Sequence, residues 1–241
     1  MPRALLAALA LSISMTACDL DDDGGFETGE EGLDSLRDIV DLSVNDASAG
    51  VVDDETGGLR LLTGEGAADV GGFNGSGTGN KSIAGLTGYD GTSLGELSLL
   101  AMESEAVTGA STPYFNVVVD LDCGCGDLSL IVADSTLATI SELGDGTTRM
   151  EYLASAPQWK AVGGLGDILP PHLDATGGAL SDVLAAYPRA CLSDADTGDN
   201  GLPRDTVTTA IMVIEGDSVN TSALEQRVAA VEVSARRYTA D

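Results

Sequence analysis

The sequence has little positive charge. It carries 11 basic residues against 39 acidic ones in 241, a formal net charge of −28. Lysine occurs only at Lys81 and Lys160. A chain of this kind lacks the basic surface that neutralises phosphates, which argues against direct nucleic-acid binding and against attraction to anionic membrane surfaces.

Aromatic residues are also scarce, at 4%, and the sequence has one histidine and four cysteines. Hydrophobic residues nevertheless reach 43% and charged residues only 21%, so most of the chain can bury a core and does not have the composition of a disordered segment. The length favours one globular domain of ordinary size.

No apolar run is long enough for a mature transmembrane helix, and the one at the N-terminus is typical of a signal peptide. Arg3 precedes the uncharged run from Ala4 to Met15. The run ends in Met15-Thr16-Ala17-Cys18, which resembles the lipobox of bacterial lipoproteins. The resemblance implies a signal peptide at residues 1–17, lipidation of Cys18, a lipid anchor as the contact with the membrane, and a location in the bacterial cell envelope, periplasmic or surface-exposed. The alternative is an ordinary secretory peptide that leaves Cys18 as a free thiol.

Residues 18–36 are rich in acidic residues and glycine, which predicts an extended, self-repelling tether. Residues 19–30 within it match the calcium-loop pattern of the EF-hand, from Asp19 to Glu30. Cys18 leaves no room for an entering helix, so we interpret the match as part of a spacer.

From residue 37 to residue 241, short apolar runs alternate with turn residues at the spacing expected of an antiparallel β-sandwich. Alternation in Tyr114–Asp120 puts Phe115, Val117 and Val119 on one face of a half-buried strand. We predict one or two short helices, at Ser93–Leu97 and at Ser181–Tyr187 with Ser181 as the cap. The predicted strands are Leu59–Leu62, Leu99–Val107, Tyr114–Asp120, Leu128–Ala133, Arg149–Leu153, Trp159–Val162, Thr206–Ile214 and Arg227–Val233.

Five motifs in this region, taken in order, resemble a jelly-roll sandwich found in exported bacterial proteins. They are Leu59–Gly64, Tyr89–Leu97, Pro113–Asp122, Pro157–Lys160 and Leu180–Pro188. The resemblance implies a mainly β, jelly-roll-like fold, close in architecture to carbohydrate-binding modules and concanavalin-like sandwiches. Members of that family mostly lack a defined activity, so the resemblance bears on fold more than on function.

An exported compartment permits disulfides, and lipidation of Cys18 leaves three thiols. A bond within Cys123-Gly124-Cys125 would close a very small ring, so we expect Cys191 to pair with either Cys123 or Cys125. A zinc site is disfavoured, because two thiols separated by one residue and a distant third supply too few ligands.

Two further patterns concern a reaction or a ligand. Gly91-Thr92-Ser93-Leu94-Gly95 fits the nucleophile-elbow pattern, with His172 as a possible base, but Ser93 is more simply a helix cap. Trp159 is either a sugar-stacking platform or, as a lone tryptophan in a sandwich more often is, a core residue.

Two loops carry hard oxygen ligands that would suit calcium. One holds Asp120, Asp122 and Asp127, and the other holds Asp194, Asp196 and Asp199. Solvated turns are the alternative, and we assign no other cofactor.

The sequence therefore predicts an envelope lipoprotein that displays a β-sandwich with a binding or structural role and no catalysis of its own. A carbohydrate or surface polymer is the most concrete ligand class. The competing hypothesis is an envelope serine hydrolase that uses Ser93 and His172. A third possibility is that the acidity is an adaptation to a saline medium and says nothing about partners.

Overall fold

The structure, a computed structural model, is a two-sheet β-sandwich. It describes residues 34–41, 51–54, 58–63, 82–109, 111–124, 126, 128–162, 173, 176–194, 209–216 and 223–240. This confirms the predicted mainly β, antiparallel sandwich with few helices.

The elements follow one another along the chain as short strands broken by two α-helices. The helices are α1 (Leu36–Ile39) and α2 (Leu180–Ala186), and single 3₁₀ turns lie at Leu94–Glu96 and Ser135–Leu137. The strands are β1 (Asp34–Ser35), β2 (Val40–Asp41), β3 (Val51–Asp54), β4 (Gly58–Thr63), β5 (Ser82–Leu86), β6 (Leu99–Thr108), β7 (Tyr114–Asp120), β8 (Leu128–Ala133), β9 (Thr139–Gly144), β10 (Thr147–Leu153), β11 (Trp159–Val162), β12 (Cys191–Leu192), β13 (Ile211–Glu215), β14 (Leu224–Val233) and β15 (Arg236–Thr239).

One sheet has eight strands and the other has seven. The eight-stranded sheet runs β1, β15, β14, β6, β10, β9, and β4 joins it by pairing with β14 and with β3. The seven-stranded sheet runs β11, β8, β7, β13, β5, β2, with β12 on the end of β7. Every pairing is antiparallel except that of β1 with β15. β1 and β9 therefore form opposite edges of the same sheet.

The main core lies between the two sheets. Phe115, Tyr152 and Trp159 are fully buried there, and the rings of Phe115 and Tyr152 meet edge to face with centroids 5.9 Å apart. Both α1 and α2 close the rim, through Leu36 and through Leu180. Burial of apolar surface on this scale is the dominant favourable term in folding.

The burial predicted for one face of β7 is confirmed, but the other face, which was expected to be exposed, is buried too. Phe115, Val117 and Val119 belong to the main core. The opposite face is buried as well, because Val118 joins a second apolar cluster with Met212 and four other residues of the same sheet. A half-buried strand was therefore the wrong expectation for β7.

Three predicted boundaries also change. Leu36 is 3% exposed and Asp34–Ser35 pairs with β15, so residues 34–36 belong to the fold, where a tether was expected. The second helix begins at Leu180 with Ala179 as its cap, which puts Ser181 inside the first turn. The strand expected over Thr206–Ile214 starts at Ile211 within the described residues.

Candidate functional site

One end of the sandwich gathers six of the seven described residues that the sequence singles out. The loop at residues 88–97 lies against the segment at residues 188–194, where Leu192 N donates to Thr92 O at 2.7 Å. Leu192 lies in β12, which pairs with the last residues of β7, so the turn after β7 sits at the same end. We call this region the acidic end, defined by Asp90, Asp120, Asp122 and Asp194.

Asp120 organises the turn after β7. Its Oδ2 accepts from Gly124 N at 2.9 Å and from Gly126 N at 3.0 Å, while its Oδ1 accepts from Asp122 N at 3.1 Å. The residue is 3% exposed. Both oxygens are thus engaged by backbone donors of their own turn, the arrangement by which an aspartate stabilises a tight turn.

The disulfide links this turn to the neighbouring segment. Cys123 is bonded to Cys191 across a Cα–Cα distance of 5.3 Å. This settles the pairing that the sequence left open between Cys123 and Cys125. An ion pair reinforces the link, since Arg189 Nη1 lies 3.2 Å from Asp122 Oδ1.

Asp194 lies where several carboxylates approach one another. Its Oδ1 accepts from Ala210 N at 2.7 Å, and its own N–H donates to Asp90 Oδ1 at 2.8 Å. Desolvation of the carboxylate and the negative charges of Asp90 and Asp41 raise the pKa of Asp194. The described part of this loop therefore concentrates negative charge.

The described residues contain no group of three His, Cys, Asp or Glu side chains that could hold a metal ion. Three of the six predicted calcium ligands, Asp127, Asp196 and Asp199, lie outside the described residues. Cys18, Cys125 and His172 lie outside them too.

Ser93 lies at the acidic end as the cap of the 3₁₀ turn at Leu94–Glu96. Its Oγ accepts from Gly95 N at 3.3 Å, and its backbone bridges to Cys191. A nucleophile elbow requires a strand, a sharp turn and a full helix within an α/β sheet. Ser93 instead opens a single turn in an antiparallel sandwich, which agrees with the interpretation as a cap.

Trp159 is a core residue, which corrects its candidacy as a stacking platform. Its side chain is 0% exposed, and its Nε1 donates to Leu153 O at 2.9 Å. The ring also packs near Tyr152, with centroids 6.3 Å apart. A ring buried on both faces cannot stack on a sugar. Among the described residues no aromatic side chain is exposed.

A second polar feature, which sequence reasoning missed, lies on the outer face of the eight-stranded sheet. Arg149 donates to Glu232 at 2.7 Å, to Glu151 at 2.9 Å and to Glu103 at 3.3 Å. Arg237 binds Glu103 as well. These five side chains, which we call the charge cluster, use two of the few basic residues to neutralise carboxylates on neighbouring strands.

The charge cluster shifts the ionisation of its members. Hydrogen bonds from Arg237, followed by those from Arg149, lower the pKa of Glu103 although burial opposes the shift. Burial also opposes the charged form of Arg149, but its bonds to Glu232 and Glu151 outweigh that effect and raise its pKa. Strand register was the missing information, because Glu103 and Arg149 come together only through the pairing of β6 with β10.

None of the described helices is long and apolar enough to cross a membrane. Comparison with protein families, with curated proteins and with solved structures finds no match for this chain. Function therefore has to be argued from the sequence and the fold themselves.

Proposed function

We propose that this chain is a bacterial envelope lipoprotein, anchored through lipid on Cys18, whose β-sandwich is a non-catalytic binding or structural module. The observation that carries the proposal is where the acidic tether enters the fold. Asp34 and Ser35 pair with Tyr238 and Thr239 at one edge of the eight-stranded sheet. A tether that precedes this pairing would enter the sandwich at the edge of the sheet opposite β9.

The maximum length of the tether is sufficient to hold the domain away from a membrane. Sixteen residue steps separate Cys18 from Asp34, and a fully extended chain of that length spans at most about 55 Å. The high negative charge favours extension over collapse onto the sandwich or onto anionic lipid. A spacer of this composition is suited to holding a domain away from a membrane.

Carbohydrate or surface polymer remains the ligand class that the jelly-roll resemblance implies. With Trp159 buried, we expect a sugar to bind mainly through polar groups, and the carboxylates of Asp90, Asp122 and Asp194 could hold it directly or through calcium. This version is testable by Trp159 fluorescence, because Trp159 is the only tryptophan in the sequence. Oligosaccharide binding at the acidic end should leave the emission of the buried indole unchanged while raising the melting temperature.

Lipidation is tested by labelling cells that express the full chain with an alkyne-bearing fatty acid. We expect label on the wild-type protein and partition into detergent. Cys18→Ser should lose both, and Cys125→Ser, the matched cysteine control, should keep both. Label on the Cys18→Ser variant, or an unlabelled wild-type protein in the aqueous phase, would contradict the anchor.

Calcium binding is tested by melting the Cys18→Ser chain with calcium and with EDTA at one ionic strength. If the acidic end binds calcium, the melting temperature rises with calcium and Asp194→Asn diminishes the rise. Asp182→Asn, which removes one exposed charge from α2, is the control. An equal response of both variants would mean that calcium acts only by screening negative charge.

A further inference from the structure

Among the strands whose burial the structure describes, β9 is the most exposed, and it forms an edge of its sheet. Its only partner within the described residues is β10, so no described strand lies along the other side of its backbone. All six residues from Thr139 to Gly144 are exposed. It is also the longest of the described edge strands, since the other edges of the two sheets have two to four residues.

This edge carries apolar side chains as well as unpaired backbone groups. Ile140 is 56% exposed and Leu143 is 51% exposed. Proteins usually protect such edges with lysine, proline, a bulge or very short strands. β9 contains neither lysine nor proline, and its one register shift lies near the hairpin end, where Glu142 faces Thr148 and Gly144 faces Thr147, so that Leu143 has no paired residue on β10. The stretch from Thr139 to Glu142 is therefore left as a regularly paired segment that a further strand could join.

The negative charge near this edge favours a basic partner. Residues 134–148 contain no lysine or arginine. Asp134 is paired with Lys160, which leaves Glu142 and Asp145 as the exposed charges beside the edge. A second copy of the chain would bring the same carboxylates together under a net charge of −28 on each molecule. A partner strand with basic residues would instead place opposite charges across the new pairing, which stabilises cross-strand pairs.

The position of the edge also favours an external partner. Five strand-to-strand steps separate β1 from β9 in the sheet order, a distance of about 24 Å at ordinary strand spacing. β9 is thus the edge of this sheet opposite the strand at which the tether enters. A partner could pair with it without approaching the anchored side of the domain.

We propose that β9 is a docking site for an extended, basic segment of a partner protein, which adds to the eight-stranded sheet as an antiparallel strand. The inference rests on the proposed binding role and narrows it to one surface and one partner class. Main-chain hydrogen bonds would supply affinity, and contacts with Ile140, Glu142 and Leu143 would supply selectivity.

The test uses the full chain with Cys18→Ser and an eight-residue peptide that alternates lysine and valine. Hydrogen exchange of the backbone amides is measured residue by residue. Exchange at residues 139–144 should slow by at least about tenfold with saturating peptide. The same peptide with glutamate in place of lysine should give no protection there, and an N-methylated lysine peptide should give none because it cannot complete the strand pairing.

A charge reversal separates strand pairing from general attraction to an acidic protein. Glu142→Lys should shift the preference from the lysine peptide to the glutamate peptide. Asp182→Lys makes the same charge change on α2. This variant should keep the wild-type preference for the lysine peptide. Protection that is equal for the N-methylated peptide, or that persists in Glu142→Lys, would overturn the proposal.

Two other results would also overturn it. If raising the protein concentration without peptide slowed exchange at residues 139–144, the edge would be a contact between two copies of the chain. Absence of protection with either peptide would show that the edge does not accept a strand. Neither result bears on lipidation, because this experiment uses a chain that lacks the lipid acceptor, so failure here is distinguishable from failure of the anchor.

Discussion

Arg237 holds Glu103 through two parallel hydrogen bonds, Nη1 to Oε1 at 2.8 Å and Nη2 to Oε2 at 2.7 Å. The bond pair joins β15 to β6 across the outer face of the eight-stranded sheet, passing over β14. A bidentate arginine–carboxylate pair is the strongest ion-pair geometry that proteins use. Here it links the last strand of the fold to the middle of the sheet.

Removal of this pair should destabilise the fold measurably. Arg237→Gln should lower the free energy of unfolding by about 1 kcal/mol, because the pair is bidentate but Arg237 remains partly solvated. The control is Arg227→Gln, since Arg227 and Glu105 are 3.6 Å apart and their side chains are 39% and 42% exposed. That variant should lower the free energy of unfolding by less than about 0.5 kcal/mol. Equal losses in urea unfolding would show that the bidentate geometry contributes nothing.

The pH dependence of Glu103 follows from the direction of its pKa shift. Its pKa is lowered in the folded state, so its stabilising effect is present above the pKa of an unfolded glutamate, about 4.3, and is lost as the pH falls through the lower folded value. Glu103→Gln should therefore be less stable than the wild type at pH 7, and the difference should shrink below about pH 4. Urea midpoints at a series of pH values measure it. A difference that grows on acidification would refute the assignment.

The disulfide should contribute strongly to stability because it closes a long loop. Cys123 and Cys191 are 68 residues apart, for which the chain-entropy relation gives about 4 kcal/mol. The double variant Cys123→Ser with Cys191→Ser should lose stability on that order, and reduction of the wild type should have the same effect. Cys125→Ser should change the urea midpoint little. The pairing would be wrong if Cys125→Ser produced the loss instead.

Two buried tyrosines should respond oppositely to removal of their hydroxyl groups. Tyr89 Oη and Tyr238 Oη lie 2.8 Å apart, so Tyr238→Phe should cost about 1–2 kcal/mol by breaking a buried hydrogen bond. Tyr152 Oη is buried without a hydrogen-bond partner among the described residues, and burial raises its pKa. Tyr152→Phe should be neutral or slightly stabilising. Thermal unfolding compares the two, and a large loss in Tyr152→Phe would mean that its hydroxyl does have a partner.

A glycine next to the Trp159 strand should not tolerate a side chain. Gly177 has φ +94°, and a Cβ there would lie 2.6 Å from Pro157 O and 2.8 Å from Leu137 Cδ1. Gly177→Ala should cost about 3 kcal/mol, from the left-handed backbone and from the displacement of Pro157. Gly88→Ala is the control, with φ +87° and open space around the Cβ, and should cost about 1 kcal/mol. Similar losses in the two variants would show that the steric contact is relieved at no cost.

Strands with continuous β-branched or aromatic character could be predicted from sequence. Tyr114–Asp120, Leu128–Ala133 and Trp159–Val162 have the predicted bounds, because each is an apolar run between turn residues. β5 was missed since Ala84 and Gly85 weaken its strand pattern, although all five of its residues are buried. The sequence pattern of a strand does not show whether neighbouring strands bury its residues.

β9 was missed for a different reason. Its residues are all exposed, so no alternation of apolar and polar positions marks it as a strand. The available signal was Gly144-Asp145-Gly146, in which all three residues have positive φ. Such a sequence between two polar stretches is typical of a hairpin turn.

The acidic end could be predicted only in parts. Each candidate residue was visible in the sequence, but the contact between residues 88–97 and 188–194 depends on a pairing across about 100 residues. The choice of Cys123 over Cys125 depends on which side chain the turn directs toward β12, and that turn is set by the hydrogen bonds to Asp120. Local patterns carry no information about either.

The disulfide also determines what a protease can release from the folded chain. The chain between Cys123 and Cys191 includes strands β8 to β11 and helix α2, and every residue of β9 is exposed. A single cut anywhere in that stretch opens the backbone but leaves both fragments joined through sulfur. The C-terminal fragment would then stay attached to the N-terminal one, and a nicked molecule would keep its full mass until it met a reductant.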